Sequence, residues 1–363
     1  MTTVVYLDYN NSIMETKIRQ VEPNRIDRNI IEEAGRLIAA GELVAFPTET
    51  VYGLGGDAMH PLAARKIYAA KGRPSDNPLI VHIADFADMK RVAARLPEQA
   101  GKLAEAFWPG PLTMIVEKND SVPEETTGGL NTVAVRMPEH PVALELIRVS
   151  GCLIAAPSAN TSGRPSPTEA SHVMEDLSGK IAMILDGGPV EIGIESTIID
   201  LTEQVPMILR PGYITRGMLE EVLGEKVMVD PGIIDSGDAR KPKAPGMKYR
   251  HYAPKAELVI VDGAEDAVVQ KINELVHHKK DEGKKTAVIA SEETRRRYES
   301  DVVLCIGTRR DENAIAQHLY KILRECDELD VDEIYSESFQ TPRIGHAIMN
   351  RLLKAAGHTV ITV

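Results

Sequence analysis

The sequence predicts a two-domain α/β protein, and three observations lead there. The chain has 363 residues, more than one ordinary hydrophobic core accommodates. Short apolar runs alternate with amphipathic stretches from about residue 28 to 210, and the alternation resumes after an irregular Pro-, Gly- and charge-rich stretch at 227–254. In the first block, strands are expected at 43–46, 79–83, 112–117, 132–137, 153–156, 182–186, 196–201 and 207–210. Helices are expected at 61–71, 98–107, 141–149, 168–177 and 215–223, with Thr168 opening the fourth. In the second block the strands are 257–262, 286–290, 302–307, 333–337 and 359–363, and the helices 265–278, 311–328 and 345–356. That order suits a small parallel sheet flanked by helices. The domains are drawn at 1–223 and 257–363, with 224–256 as a linker.

Composition narrows the function classes. With 43% hydrophobic and 26% charged residues, and no apolar run near the roughly 20 residues that cross a bilayer, the chain is not expected to engage a membrane. The first twenty residues show no basic segment followed by an apolar one, so a cytoplasmic location is expected. Cys152, Cys305 and Cys326 lack C-x-x-C spacing and read as small core residues of a reduced protein. A net charge of −12 repels polyanions and argues against direct tRNA binding. The basic clusters at 279–285 and 295–297 are interleaved with acids and read as solvated helix ends.

Conventional phosphate cradles are missing. No G-x-x-x-x-G-K-[ST] occurs. Gly53-Leu-Gly55-Gly-Asp-Ala58 matches a loose dinucleotide fingerprint, but the next strand does not close on the required acidic residue, so a nicotinamide site is not expected.

A combination of motifs is more specific: FPTETVYGLG (46–55), KGRPSDNPLIVHI (71–83), WPGPLT (108–113), TVAVRMP (132–138), APSAN (156–160), ESTIID (195–200) and LRPG (209–212). In this order they resemble the YrdC-type threonylcarbamoyl-AMP synthase domain. The likeness continues through APGMKYRHYAP (244–254) and RIGHAIMNRLLKAAG (343–357), as in the longer two-domain members. It implies a twisted mixed-sheet YrdC-like N-terminal domain plus a smaller Rossmann-like parallel α/β C-terminal domain. The implied activity is a nucleotidyltransferase that joins L-threonine, bicarbonate and ATP into threonylcarbamoyl-adenylate and releases pyrophosphate. A downstream tRNA threonylcarbamoyl transferase machinery would consume the product.

Residue types then suggest roles. Lys71 and Arg73, a point charge and a planar fork on a Gly-Pro-broken turn, suit a triphosphate and departing pyrophosphate. By resemblance Asn77, Thr132, Ser158, Asn160, Ser166 and Arg210 also meet ATP. An Asx-type turn is the other reading of Ser158 and Asn160. By the same resemblance Thr50, His82, Arg136, Ala156 and Ser196 bind threonine. Arg136 interrupts an apolar strand, so either a substrate carboxylate or a buried acid must satisfy it. By residue type alone His82, a lone histidine in an apolar strand, reads as a satisfied core residue, and its threonine-binding role is implied by the resemblance. Carbamates lose carbon dioxide in water, so a lid is expected, and Pro245–Tyr249 in the linker is placed to form one, with Tyr249 reaching the nucleotide. The alternative is a plain spacer. Mg²⁺ is expected with ATP, with no ligand assigned beyond the proximity of Glu49 and Glu195. Gly307–Arg310 reads as an anion site or an ordinary turn. Two rival functions are a non-enzymatic double-stranded RNA-binding or ribosome-maturation protein, and carbamoyl transfer within a hydrogenase-maturation enzyme.

Overall fold

A computed structural model describes residues 15–233 and 251–363. The first domain contributes β1 (Lys17–Gln20), α1 (Arg28–Ala39), β2 (Val44–Phe46), β3 (Gly53–Asp57), α2 (Pro61–Lys71), β4 (Ile80–His82), α3 (Glu98–Phe107), β5 (Leu112–Glu117), α4 (Glu124–Thr127) and β6 (Thr132–Arg136). It continues with α5 (Pro141–Ser150), β7 (Ile154–Ala155), α6 (Ala170–Leu177), β8 (Met183–Asp186), β9 (Thr197–Asp200), β10 (Met207–Arg210), α7 (Arg216–Leu223) and β11 (Met228–Val229). These strands form one sheet in the order β1-β8-β2-β3-β7-β4-β6-β5-β9-β10-β11. The sheet is mixed: β4 runs parallel to β6 but antiparallel to β7, and β5 runs antiparallel to β6 but parallel to β9. The edge strand β11 lies within the expected linker.

The second domain comprises β12 (Glu257–Asp262), α8 (Glu265–Asp281), β13 (Thr286–Ser291), β14 (Val302–Gly307), α9 (Glu312–Glu328), β15 (Glu333–Glu337), α10 (Gly345–Ala355) and β16 (Val360–Thr362). Its strand order is β14-β13-β15-β12-β16, with every pairing parallel, as expected.

Besides β1 and α4, short elements absent from the expected set, three features depart from the expectation. Helix α1 went unassigned, although Ile31, Ala34 and Ile38 form a buried stripe that packs with Val142, Leu146 and Ile147 of α5. Strand β3 is built from the glycine triplet itself, which therefore makes no dinucleotide turn. Glycine is required there by contact: a Cβ on Gly55 would lie 2.8 Å from both Ile154 Cγ2 and Phe46 Cε1. The third departure is at α6, where Glu169 rather than Thr168 is the N-cap and makes no side-chain bond; Thr168 instead donates its N–H to His172 Nδ1 at 3.2 Å.

The domains share apolar packing. Val51 and Ile194 of the first domain and Tyr252 join the cluster that α9 and α10 build over the parallel sheet, with Leu319, Tyr320 and Leu352 in it. The surface basic clusters are neutralised as expected, for example Lys284 by Glu333 at 3.1 Å and Arg297 by Asp266 at 2.6 Å. Of the three cysteines, Cys326 is buried, whereas Cys152 and Cys305 are half-buried, so the core reading holds fully only for Cys326. The 307–310 turn resolves as structural, since the Arg309 guanidinium is tied to Glu337 and to Ser338 O.

Gly55→Ala should destabilise the protein by about 1–3 kcal/mol through overpacking against Phe46 and Ile154. Denaturant titration checks this, and a change below about 0.5 kcal/mol would show that the strand contact relaxes freely.

Candidate active site

A cleft opens where β4, β6 and the segment after β7 meet the end of α2, and the 251–252 segment closes one side of it. Lys71 is the last residue of α2. The helix stops there because Gly72 adopts the left-handed conformation, φ 60°, and returns its N–H to Tyr68 O and Ala69 O. The Lys71 ammonium then reaches Ser158 O at 2.5 Å, Asn160 O at 2.5 Å and Asn160 Oδ1 at 3.3 Å. This corrects the picture of a point charge on a broken turn: Lys71 ends α2, is buried, and directs its donors to the 158–160 corner. Burial, with Arg73 nearby, pulls its pKa well below the usual lysine value. Arg73 donates Nη2 to Asn77 O at 3.2 Å and Pro78 O at 3.0 Å, while its Nε is buried without a partner.

The 158–160 corner is both a turn and a cleft wall. Ser158 Oγ donates to Asn160 Oδ1 at 2.6 Å, and Asn160 Nδ2 donates to Thr161 O and Arg164 O, so the turn reading is realised. Both residues nevertheless line the cleft.

His82 and Arg136 are paired across β4 and β6. Arg136 meets a buried acid from within the chain: Nη2 lies 2.6 Å from Glu49 Oε1, both side chains being about 5% exposed or less, and Nε donates to Gly110 O at 3.4 Å. The Nη2 and Oε1 atoms are misaligned for a hydrogen bond, so their attraction is Coulombic. His82 has its Nδ1 3.1 Å from Ile80 O and its ring edge-on to Phe46. Burial, then the Arg136 charge, lowers its pKa to about 3. It is buried among core residues and also lines the cleft.

Arg210 donates Nε to Ser196 O at 3.0 Å and Nη2 to Ser196 Oγ at 3.1 Å, and Ser196 Oγ is 2.7 Å from Thr113 Oγ1. Ser166 Oγ donates to Glu195 Oε1 at 2.6 Å. Glu195 is further held by Tyr320 and Arg351. Burial alone would raise its pKa, but Arg351, then Arg210 and the Ser166 hydroxyl, bring it down to about 2.

Of the sequence-predicted site residues, Lys71, Arg73, His82, Arg136, Ala156, Ser158, Asn160 and Arg210 line the cleft. Asn77, Ser166 and Ser196 stand behind it, in contact with residues that do. Thr50 is fully buried against Thr48, which takes the wall position instead. Thr132 is at the far end of β6 from Arg136, about 13 Å away at the rise of a strand, and the structure does not bring it to the cleft. Tyr249 and the rest of the expected lid, Pro245–Tyr249, lie outside the described residues.

Residues that went unpredicted also line the cleft: Arg164, His251 and Tyr252. Arg164 had a legible signal, because Gly-Arg-Pro-Ser occurs both at 72–75 and at 163–166 and both arginines reach the same cleft. Tyr252 stands at φ 64° and packs 5.0 Å, ring centre to ring centre, from Tyr320. Its side chain comes from the linker, three residues beyond the expected lid.

Five cations (Lys71, Arg73, Arg136, Arg164 and Arg210) therefore line the cleft, and Glu195 is the one acid in its described wall. Locally the charge is opposite in sign to the chain's −12, which favours a polyphosphate ligand. Among the described residues no three His, Cys, Asp or Glu side chains group as a metal cage, and Glu49 and Glu195 are both held in ion pairs.

This arrangement defines a two-domain α/β protein with a cation-lined cleft. Comparison with known proteins sharpens the class. Residues 36–212 match the Sua5/YciO/YrdC family profile, described as "Telomere recombination", and residues 214–357 match that of the threonylcarbamoyl-AMP synthase C-terminal domain. The threonylcarbamoyl-AMP synthase of Pyrococcus abyssi is 50% identical over 93% of this chain and 97% of its own length. That of Bacillus subtilis is 50% identical over 91% and 94%. The crystal structure of P. abyssi Sua5 complexed with L-threonine superposes with a TM-score of 0.91 at 49% identity, covering 96% of this chain and all of the other. The chain belongs to the threonylcarbamoyl-AMP synthase family, in its two-domain Sua5 form.

The His82 shift gives a pH prediction. Unfolded His82 binds a proton near 6.5 and folded His82 only near 3, so between these values the unfolded state carries the extra proton. Stability should fall as pH drops through that window. In His82→Gln the dependence between pH 6.5 and 4 should flatten, as measured by urea titration; an unaltered slope would mean that His82 is not buried neutral.

Proposed function

We propose that this cleft catalyses the family reaction by condensing L-threonine and bicarbonate to a carbamate and transferring it to the α-phosphate of ATP. The amine nitrogen attacks the bicarbonate carbon and expels the elements of water. A carbamate oxygen then attacks the α-phosphorus, forming the mixed anhydride, and the α–β bridging oxygen departs with pyrophosphate. The observation that carries this reading is the set of five cations converging on one cleft in a chain of net charge −12. No protein nucleophile is required, and the work of the site is positioning and charge neutralisation.

In this reading the nucleotide lies along the Arg73, Ser158, Asn160, Ser166 and Arg210 side of the cleft. Arg73 lines this side with its guanidinium, and Lys71 contributes by holding the corner and through its charge. Threonine lies beside His82, Ala156 and Arg136. The misaligned Glu49 contact leaves the Arg136 Nη2 without a hydrogen-bond acceptor, which suits capture of the substrate carboxylate. ATP would enter as its magnesium complex, which would neutralise phosphate charge, and the nearby Glu49 and Glu195 carboxylates are already engaged in ion pairs. The product is a labile acyl adenylate, and a transferase acting on the adenosine of tRNA is the partner that consumes it. We place the reaction in the cytoplasm, in keeping with three unpaired cysteines; no described helix is long and apolar enough to cross a membrane.

Pyrophosphate release from ATP should require both threonine and bicarbonate; release at the same rate without threonine would rule the reaction out. Arg136→Ala should remove a charge-assisted contact of about 1.5–3 kcal/mol, seen as roughly ten- to a hundredfold weaker threonine binding by calorimetry. Unchanged threonine affinity would take Arg136 out of the site.

A further inference from the structure

Glu195 occupies an unusual position, because it lines the cleft in the first domain while most of its partners come from the second. Tyr320 of α9 donates its hydroxyl to Oε2 at 2.8 Å and lies 3.1 Å from Oε1. Arg351 of α10 donates Nε to Oε2 at 3.1 Å, Nη2 to the Glu195 carbonyl at 3.3 Å, and Nη1 to Pro211 O. Both side chains are fully buried. Pro211 follows Arg210, and Ser196 follows Glu195, so the single guanidinium of Arg351 ties together the backbone on both sides of the Arg210–Ser196 contact. The remaining Glu195 oxygen accepts from Ser166. Ser166, Ser196 and Arg210 are thus placed by groups that reach in from another domain.

We propose that Tyr320 and Arg351 are positioning residues for the reaction, and that the second domain completes the nucleotide side of the cleft by clamping Glu195. The inference rests on the functional reading above. Packing the two domains together required only apolar contact, which Val51, Ile194 and the α9 face already supply. A buried carboxylate met by a tyrosine and an arginine adds direction, because each hydrogen bond restricts where the carboxylate, and hence the Ser166 hydroxyl, can point. The same clamp keeps Glu195 ionised, and so an acceptor, throughout the neutral range. Tyr252 lies against Tyr320, so the linker's cleft residue is seated on the same support. Arg324, one helical turn after Tyr320, fixes the neighbouring wall by donating to Asp176 Oδ2 at 2.9 Å and Pro165 O at 2.7 Å.

The test uses the full chain, with a non-hydrolysable ATP analogue titrated by calorimetry and KM and kcat followed by pyrophosphate release. Tyr320→Phe, which deletes one hydroxyl and no charge, should weaken analogue binding and raise KM for ATP by about three- to tenfold. KM for threonine should stay within about twofold, since the effect is local to the nucleotide side. In a Glu195→Gln background the same substitution should add little, because the two act through one carboxylate. Arg351→Met should weaken the analogue more than Tyr320→Phe does, and Arg351→Lys, which keeps the charge, should restore part of the loss. The inference is overturned if Tyr320→Phe and Arg351→Lys lower Tm yet bind the analogue as wild type does. It is equally overturned if the Tyr320→Phe and Glu195→Gln effects simply add. A wild-type chain that binds no analogue overturns the functional reading as well, whereas normal wild-type binding with unaffected variants sinks this inference alone.

Discussion

Several positive charges are removed from water beside one cleft, and the rest of the structure is arranged around satisfying them. An unpaired buried ammonium or guanidinium is costly, so each needs oxygens close by. Lys71 takes three from the 158–160 corner, Arg136 takes the Glu49 carboxylate, and Arg164 takes Asp176 and Glu175. Arg210 uses Ser196 twice, and Arg351 uses Glu195. These contacts shape the cleft, because each one pins a loop that would otherwise be free to choose its conformation. They also preserve the positive field that a polyphosphate substrate needs, since the partners are largely carbonyls, hydroxyls or acids set behind the wall.

The two domains are therefore coupled through chemistry as well as packing. A chain of contacts runs from the parallel sheet through α9 and α10 to Glu195, and from there to the residues proposed to meet ATP. Gly193 shows how closely the elements approach: a Cβ there would lie 2.4 Å from the Gln317 Cα of α9. Such an approach leaves little room for the domains to shift without disturbing the cleft wall.

Much of the architecture was legible because periodicity and contact agree. Strands such as 112–117, 207–210, 257–262 and 302–307, and helices such as 61–71 and 98–107, carry their burial pattern in their own residues. Strand β3 was not legible, because glycines have low strand propensity and only the rings and methyls around them explain their presence. Helix α1 has a readable stripe that was not assigned. Among the residues that the motifs singled out, Arg73, His82, Arg136 and Arg210 line the cleft, and Arg164 could have been found from the repeated Gly-Arg-Pro-Ser. Thr132 shares a short strand with Arg136, yet strand rise separates it from the cleft.

By itself the sequence determined the α/β class, the parallel second sheet, the absence of a P-loop and the segments that build the cleft, because these depend on local pattern and on residue type. Only the tertiary structure decided which partner each charged group takes. The Arg136–Glu49 pair spans 87 positions and the Arg351–Glu195 pair 156, and no local rule selects a partner at such separation. It is chain topology that brings those groups within reach, and desolvation that then requires them to meet.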